Sequence, residues 1–410
     1  MPHFRRSALF VVLGACSGVL AGLASFVFLE GLDRVTELRV DHEWIVWLLP
    51  AAGLLVGFTY HLIGGRAVGG TALAVSEAHA YTRGAPARMA PLVLGGTLFG
   101  HLFGASVGRE GTAVQMSAAL TDAGARALRL DHDQRATLAR AALAGGFGSV
   151  FGVPFAGVVF ALEVARRRTF RALLAAAPAA FVGEWVVTSL GQSHTARPRI
   201  TMPFDASTIA RLVVAGVAFG ATARLFALAV PALKSFMART VVWPPARPAI
   251  GGVATVLLMA LVGRDYLGLS LPLLDGAFSG AELAWWDPTL KLVFTCLALG
   301  TGFVGGEVTP LFVIGATLGS VLASPLQLSA AALGAVGLAA VFGAAAHVPI
   351  ACAVMAVELF GSGIVVPAVL GCVVARAVAR GDSIYQHPVM PDAALAPAVR
   401  ADHVSDPRST

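Results

Sequence analysis

Gly108-Arg109-Glu110-Gly111-Thr112 decides the fold, because the other half of the chain carries a second version, Gly305-Gly306-Glu307-Val308-Thr309. In both, glycines and one acid stand directly before an apolar run. The marks that follow recur in the same order. Val150-Phe151-Gly152, Val153-Pro154 and Glu163 come after the first copy, and Val341-Phe342-Gly343, Val348-Pro349 and Glu358 after the second. The two acids of each set are 53 and 51 residues apart, and each proline precedes its second acid by nine. Four coincidences in order predict a duplicated unit. We read a first membrane repeat over 1–190, a polar, proline-containing loop over 191–205, a second repeat over 206–387, and a short polar tail over 388–410 that is expected to be disordered.

Composition places the repeats in a bilayer. Of 410 residues 57% are hydrophobic and 13% charged, with a mean hydropathy of +0.78. A soluble domain of this size carries roughly 25% charged residues. Apolar stretches recur from Ala8–Phe28 to Ile364–Ala375, and several are shorter than the ~20 residues of a full span. The 46 Gly and 22 Pro suit broken and re-entrant helices, because irregular backbone is tolerated at membrane depth where it lines a cavity. Continuous Ala/Leu/Val runs without alternation argue against a β-barrel. The expected class is therefore an all-α polytopic membrane protein.

The net charge is +6. Its basic clusters (Arg5 and Arg6, Arg126 and Arg129, Arg166–Arg168 and Arg171, Lys234 and Arg239, Arg376 and Arg380) flank apolar runs, whereas loops 31–43 and 264–287 carry more acid. These clusters read as solvated loop charge rather than a nucleic-acid surface, and the positive-inside rule puts both termini in the cytoplasm. Cys16, Cys296, Cys352 and Cys372 lie singly in apolar runs and read as small core residues, without metal-ligand spacing. Leu13-Gly14-Ala15-Cys16 imitates a lipoprotein signal, but the apolar run continues to Phe28 and fits a first transmembrane helix better.

An anion crossing a bilayer must shed water, and bare charge in hydrocarbon is costly. Helix N-termini offer unpaired N–H groups and about half a positive charge, without trapping the ion against a full cation. Gly108, Gly111, Gly305 and Gly306 would let backbone approach such an ion, Thr112 and Thr309 would add hydroxyl donors, and Pro310 suits the first turn of the second helix. Glu110 then has two states. Ionised, its carboxylate occupies the anion's place; protonated, it leaves. Burial favours the neutral acid and helix-end donors favour the carboxylate, so the two oppose one another and leave the group titratable. The plainer reading makes Glu110 a cap on its own helix, but intramembrane acids are costly and functional by default. Glu307 is read as carrying the proton onward, Glu163 and Glu358 as local ion pairs or caps. Tyr385, just after the last apolar run, is either a hydroxyl donor to an anion or an interfacial anchor.

These motifs resemble the CLC chloride channel and transporter family over about residues 8–390. Gly108-Arg109-Glu110-Gly111 is similar to its gating-glutamate motif, Gly305-Gly306-Glu307-Val308-Thr309-Pro310 to its second filter motif, and Val153-Pro154 through Glu163 and Val348-Pro349 through Glu358 to its repeated helices. Thr112 in place of Pro, and Val308 in place of Phe, look like the CLC-F branch, which exchanges fluoride for protons. The resemblance implies a CLC-like fold of two inverted repeats, a homodimer in a bacterial inner membrane, and no cofactor. It implies Glu110 as gate, Glu307 as proton carrier, and an anion-binding set of Gly69, Gly70, Gly108, Arg109, Gly111, Thr112, Val308, Thr309 and Tyr385. The proton glutamate of chloride/proton exchangers would fall on Val164, which argues against that mechanism. The first filter loop would lie at Val68-Gly69-Gly70-Thr71, with Gly69 where relatives carry Ser or Asn, so side-chain selection from this loop is lost. Two alternatives stand beside fluoride/proton antiport. One is a chloride or broad-anion CLC transporter or channel. The other is an intramembrane serine hydrolase, since Gly104-Ala105-Ser106-Val107-Gly108 has the Gly-x-Ser-x-Gly form.

Overall fold

A computed structural model describes residues 2–166, 169–195, 197–203, 205–381 and 383–385, with side chains from residue 7 onward. The side chains of Arg5 and Arg6, together with Arg167, Arg168 and the tail from 388, lie outside the described residues. The described chain folds into sixteen α-helices. They are α1 (Pro2–Asp41), α2 (Leu49–Ile63), α3 (Gly70–His79), α4 (Met89–Leu102), α5 (Glu110–Ala127), α6 (His132–Phe151), α7 (Pro154–Val164) and α8 (Phe170–Ser189), then α9 (Ala206–Thr240), α10 (Ala246–Val262), α11 (Leu271–Ser279), α12 (Asp287–Thr301), α13 (Val308–Leu326), α14 (Ala330–Ala346), α15 (Pro349–Phe360) and α16 (Val365–Val378).

The second eight helices repeat the first eight in order and approximate length. Their packing repeats too: α1 lies on α8 as α9 lies on α16, α5 on α6 as α13 on α14, and α6 on α8 as α14 on α16. Three contacts join counterparts across the two halves, α2 with α10, α5 with α13 and α7 with α15. Such a pattern is that of a local pseudo-twofold. Five segments are long and apolar enough to cross a membrane, including Ser7–Asp41 and Ala206–Thr240, while six apolar helices of 10–17 residues are shorter. A 35-residue helix is about 50 Å long, so the two long ones must tilt to stay within a core of about 30 Å.

Small residues let these helices touch backbone to backbone. A Cβ on Gly14 would lie 2.3 Å from the Ala175 carbonyl oxygen in the α1–α8 contact, and one on Gly220 would lie 2.4 Å from the Ala375 oxygen in the equivalent α9–α16 contact. Close approach of this kind replaces the hydrophobic drive that lipid cannot supply between helices. Cys296, Cys352 and Cys372 are buried as expected, but Cys16 is exposed on α1. The α1 run is apolar all round, so its sequence could not say which face meets the protein.

The half-length pair α7 and α15 shows how broken helices are satisfied. Glu358, near the end of α15, accepts the Phe155 and Ala156 N–H groups at 2.9 and 2.6 Å; Glu163, near the end of α7, accepts those of Ile350 and Ala351 at 3.2 and 2.8 Å. Each acid caps the N-terminus of the other repeat's helix, where the orphan amides and the dipole favour negative charge. Of the local ion pairing or capping expected from sequence, the structure shows capping, but of the other repeat's helix, because the twofold sets the two short helices antiparallel. Glu163→Ala and Glu358→Ala should each lower unfolding stability in detergent by about 2 kcal/mol, the cost of amides left without acceptors. Gln substitutions should lose less, since the amide oxygen still accepts; melting temperatures of the purified variants check this.

Candidate functional site

Two loops meet at the centre of the pseudo-twofold. Gly108 and Gly306 exchange backbone hydrogen bonds, Gly108 N–H to Gly306 oxygen at 2.6 Å and Gly306 N–H to Gly108 oxygen at 2.8 Å. The approach leaves no room for side chains: a Cβ on Gly306 would lie 2.6 Å from the Gly111 nitrogen, and one on Gly108 would lie 2.8 Å from Pro310 Cδ. The bridge aims the N-termini of α5 and α13 at one another.

The Glu110 side chain lies in that gap with no solvent exposure. Its Oε2 accepts the Thr309 N–H at 2.9 Å, and its Oε1 accepts the Thr309 hydroxyl. Arg109 Nε donates to Oε1 at 3.3 Å, and its guanidinium lies 5.6 Å from the centre of the Phe151 ring. An acid of the first repeat thus holds the first-turn amide and hydroxyl of the second repeat's helix, a setting that suits any small anion. Its capping partner is the opposite helix, not its own.

Glu307 stands at the N-cap of α13, partly buried, with Oε2 lacking a hydrogen-bond partner. The charges acting on it are Lys234 of α9 and Glu110. Both glutamates also act on Tyr385, which is buried, packs edge-on against Phe160 with centroids 6.5 Å apart, and is anchored by Ile384 N–H to the Ala345 oxygen at 3.0 Å. Val308 is buried beside Thr309. Thr112 is turned elsewhere: its hydroxyl pairs with Thr97 of α4 at 2.7 Å.

The first filter loop joins the same centre. Gly70, with φ +55°, opens α3, and a Cβ on Gly111 would lie 2.8 Å from both Thr71 Oγ1 and Gly306 Cα. Gly69 precedes it as the helix cap. Sequence reasoning passed over Gln115, a buried amide of α5 whose Nε2 donates to Thr71 Oγ1 at 3.1 Å. The nearest atoms to a Cβ on Gly70 would be those of this amide, at 3.8 Å, so Gln115 supplies a polar side chain where Gly69 and Gly70 have none. Its signal was a lone polar residue in an apolar helical run. Ser106 is fully buried, with its Oγ 2.8 Å from Lys291 Nζ and 3.0 Å from Thr295 Oγ1. It precedes α5 on irregular backbone rather than on a strand, unlike the elbow a hydrolase needs.

A family model described as "Voltage gated chloride channel" matches residues 52–380. A "Chloride/fluoride channel protein" of Pseudomonas syringae pv. tomato is 42% identical over 404 residues, covering 94% of this chain and 89% of that protein. A solved CLC-type fluoride/proton antiporter superposes with a TM-score of 0.89 at 33% identity, over 93% of this chain and 97% of the other. A slow cyanobacterial Cl−/H+ antiporter shares the fold at 16% identity, with a TM-score of 0.81 over 95% of this chain and 99% of the other.

The glycine bridge makes a testable demand. Gly306→Ala should force the loops apart and cost about 1–3 kcal/mol by overpacking, read as a lower Tm. Gly95→Ala in α4, where a Cβ would meet nothing within 4 Å, should leave Tm unchanged or raise it.

Proposed function

The chain belongs to the voltage-gated chloride channel (CLC) family and is similar to a solved fluoride/proton antiporter of it, and from that premise we propose that it exports fluoride across a bacterial inner membrane in exchange for protons. The observation that carries the proposal is the Glu110 carboxylate seated on the Thr309 N–H and hydroxyl. A carboxylate in that position is an anion held by donors of the other repeat. When it takes up a proton it gives up its claim on those donors, and a halide replaces it. Carboxylate and halide are then alternatives at one place, which couples halide binding to protonation.

Glu307 is the second proton station. It stands two residues before Thr309, and its unpartnered oxygen leaves it able to receive or release a proton. Gly108, Gly111, Gly69 and Gly70 bring backbone to the ion, and Arg109 holds the Glu110 carboxylate in the seated state. Tyr385 closes the other side with its phenol. Fluoride is small and strongly hydrated, so amide and hydroxyl donors replace its water better than an aromatic wall. Val308 in place of Phe fits that need. The apolar exposed residues Phe155, Ile350, Val365 and Val369 on α7, α15 and α16 suit a homodimer contact within the bilayer, and the basic loops put both termini in the cytoplasm.

A second reading is a chloride or broad-anion transporter. The bare loop at Gly69 and Gly70 favours it, because no side chain there discriminates by size. The two readings separate in proteoliposomes with simultaneous recording of fluoride or chloride efflux and internal pH. Antiport predicts fluoride efflux coupled to proton entry, with chloride much slower. Glu110→Gln should abolish proton movement, and Thr309→Val should slow fluoride efflux roughly tenfold, as loss of a charge-assisted hydrogen bond would. Proton flux unaltered by Glu110→Gln would remove Glu110 from the gate.

A further inference from the structure

Lys291 lies within the apolar run of α12 and is one of two lysines in the chain. Its side chain is fully buried. Nζ donates to the Gly268 and Tyr266 carbonyls at 2.8 and 3.2 Å and to the hydroxyls of Ser106 and Ser270 at 2.8 and 2.9 Å. All four partners are neutral. Asp287, one helical turn earlier, is engaged instead by Tyr266 Oη at 2.7 Å and the Ala284 N–H at 2.8 Å. Burial and the neighbouring Arg39 cation both act against a charge on Lys291, and the four oxygen acceptors around Nζ act for it.

More positive and polar nitrogen gathers at the same place. A Cβ on Gly268 would lie 3.2 Å from Arg39 Nη2 and 3.6 Å from His101 Nδ1. His101 is buried, and neither its Nε2 nor Arg39 Nε has a hydrogen-bond partner. Arg39, Lys291 and Arg109 all act on the His101 ring. No ion pair within 4 Å joins Lys291 or Arg39 to an acid among the described residues.

A buried cation that served only packing would be expected to carry a carboxylate, because an unpaired charge at membrane depth is costly and such groups mark ion pathways. We infer that Lys291, with Arg39 beside it, is a fixed electropositive backing for the Glu110 site, which favours a bound anion once the Glu110 carboxylate has left. Its tethering to neutral oxygens keeps the charge in place without cancelling it. Ser106, which Lys291 holds, is four residues from Glu110, so their Cα atoms are at most about 14 Å apart. Allowing for the side chains, one unit charge roughly 15–20 Å from the anion at an effective dielectric near 20 changes its occupancy several-fold. Lys291 is therefore a positioning and affinity-setting group rather than a ligand.

The inference rests on the Glu110 site being the anion site, and calorimetric titration of sodium fluoride and sodium chloride into the detergent-purified protein tests both. Lys291→Met should weaken anion binding several-fold, whereas Lys291→Arg, which keeps the charge, should stay within about twofold of the parent. A purely structural lysine would lower Tm in Lys291→Met and leave affinity alone. Arg39→Gln, at the half-buried rim of the cluster, is the second variant and should weaken binding several-fold even if Lys291→Met does not fold. Parental affinity in Lys291→Met or, failing its folding, in Arg39→Gln overturns the role of the cluster alone. An intact parent protein that binds neither anion overturns the proposed function and this inference together.

Discussion

One hydrogen-bonded contact governs the molecule: the Glu110 carboxylate of the first repeat on the Thr309 amide and hydroxyl of the second. A helix that begins inside a membrane leaves N–H groups that water cannot reach, and something must accept from them. At α13 the acceptor is the Glu110 carboxylate, which on the proposed function protonation would release. At α7 and α15 the acceptors are Glu358 and Glu163, which lie in places related by the pseudo-twofold and fasten the halves. The same chemistry thus serves three times, twice between α7 and α15 and once at α13, where the proposed function makes it a removable plug. What distinguishes them is position: Glu110 is the first residue of its own helix, whereas the other two lie near the C-terminal ends of theirs.

The surrounding scaffold exists to bring the loops together without side chains between them. Glycine contacts let α1 lie on α8, and α9 on α16, at backbone distance. The Gly108–Gly306 bridge then sets the spacing of the helix ends, and Gln115 ties the α3 end to it through Thr71. A bulkier residue at any of these points would widen the centre by more than the reach of one hydrogen bond.

The repeat and its centre were legible from Glu110, Glu307 and the spaced prolines, because duplication leaves the same order of marks twice. The all-α membrane class was legible from composition. Contacts between distant segments were not. Glu163 and Glu358 looked local, since each ends an apolar run, and only the antiparallel placement of α7 and α15 reveals their exchange. Thr112 looked like a donor to the site, but the helix turn that follows Glu110 points it at Thr97. Cys16 reads as core from its neighbours, yet α1 is apolar on every face and the exposed one cannot be told from hydropathy. Lys291 carried the plainest unused signal, a lone cation in an apolar run, and its partners Ser106, Tyr266 and Gly268 come from two loops far away in sequence.

The central claim is that halide and the Glu110 carboxylate exclude one another, so that binding one anion requires one proton. Calorimetric titration of fluoride in several buffers of different ionisation enthalpy, at fixed pH, measures proton uptake directly. The account predicts uptake approaching about one proton per fluoride bound in the parent protein, by linkage, and none in Glu110→Gln. Fluoride binding without proton uptake at any pH at which Glu110 is ionised would contradict it.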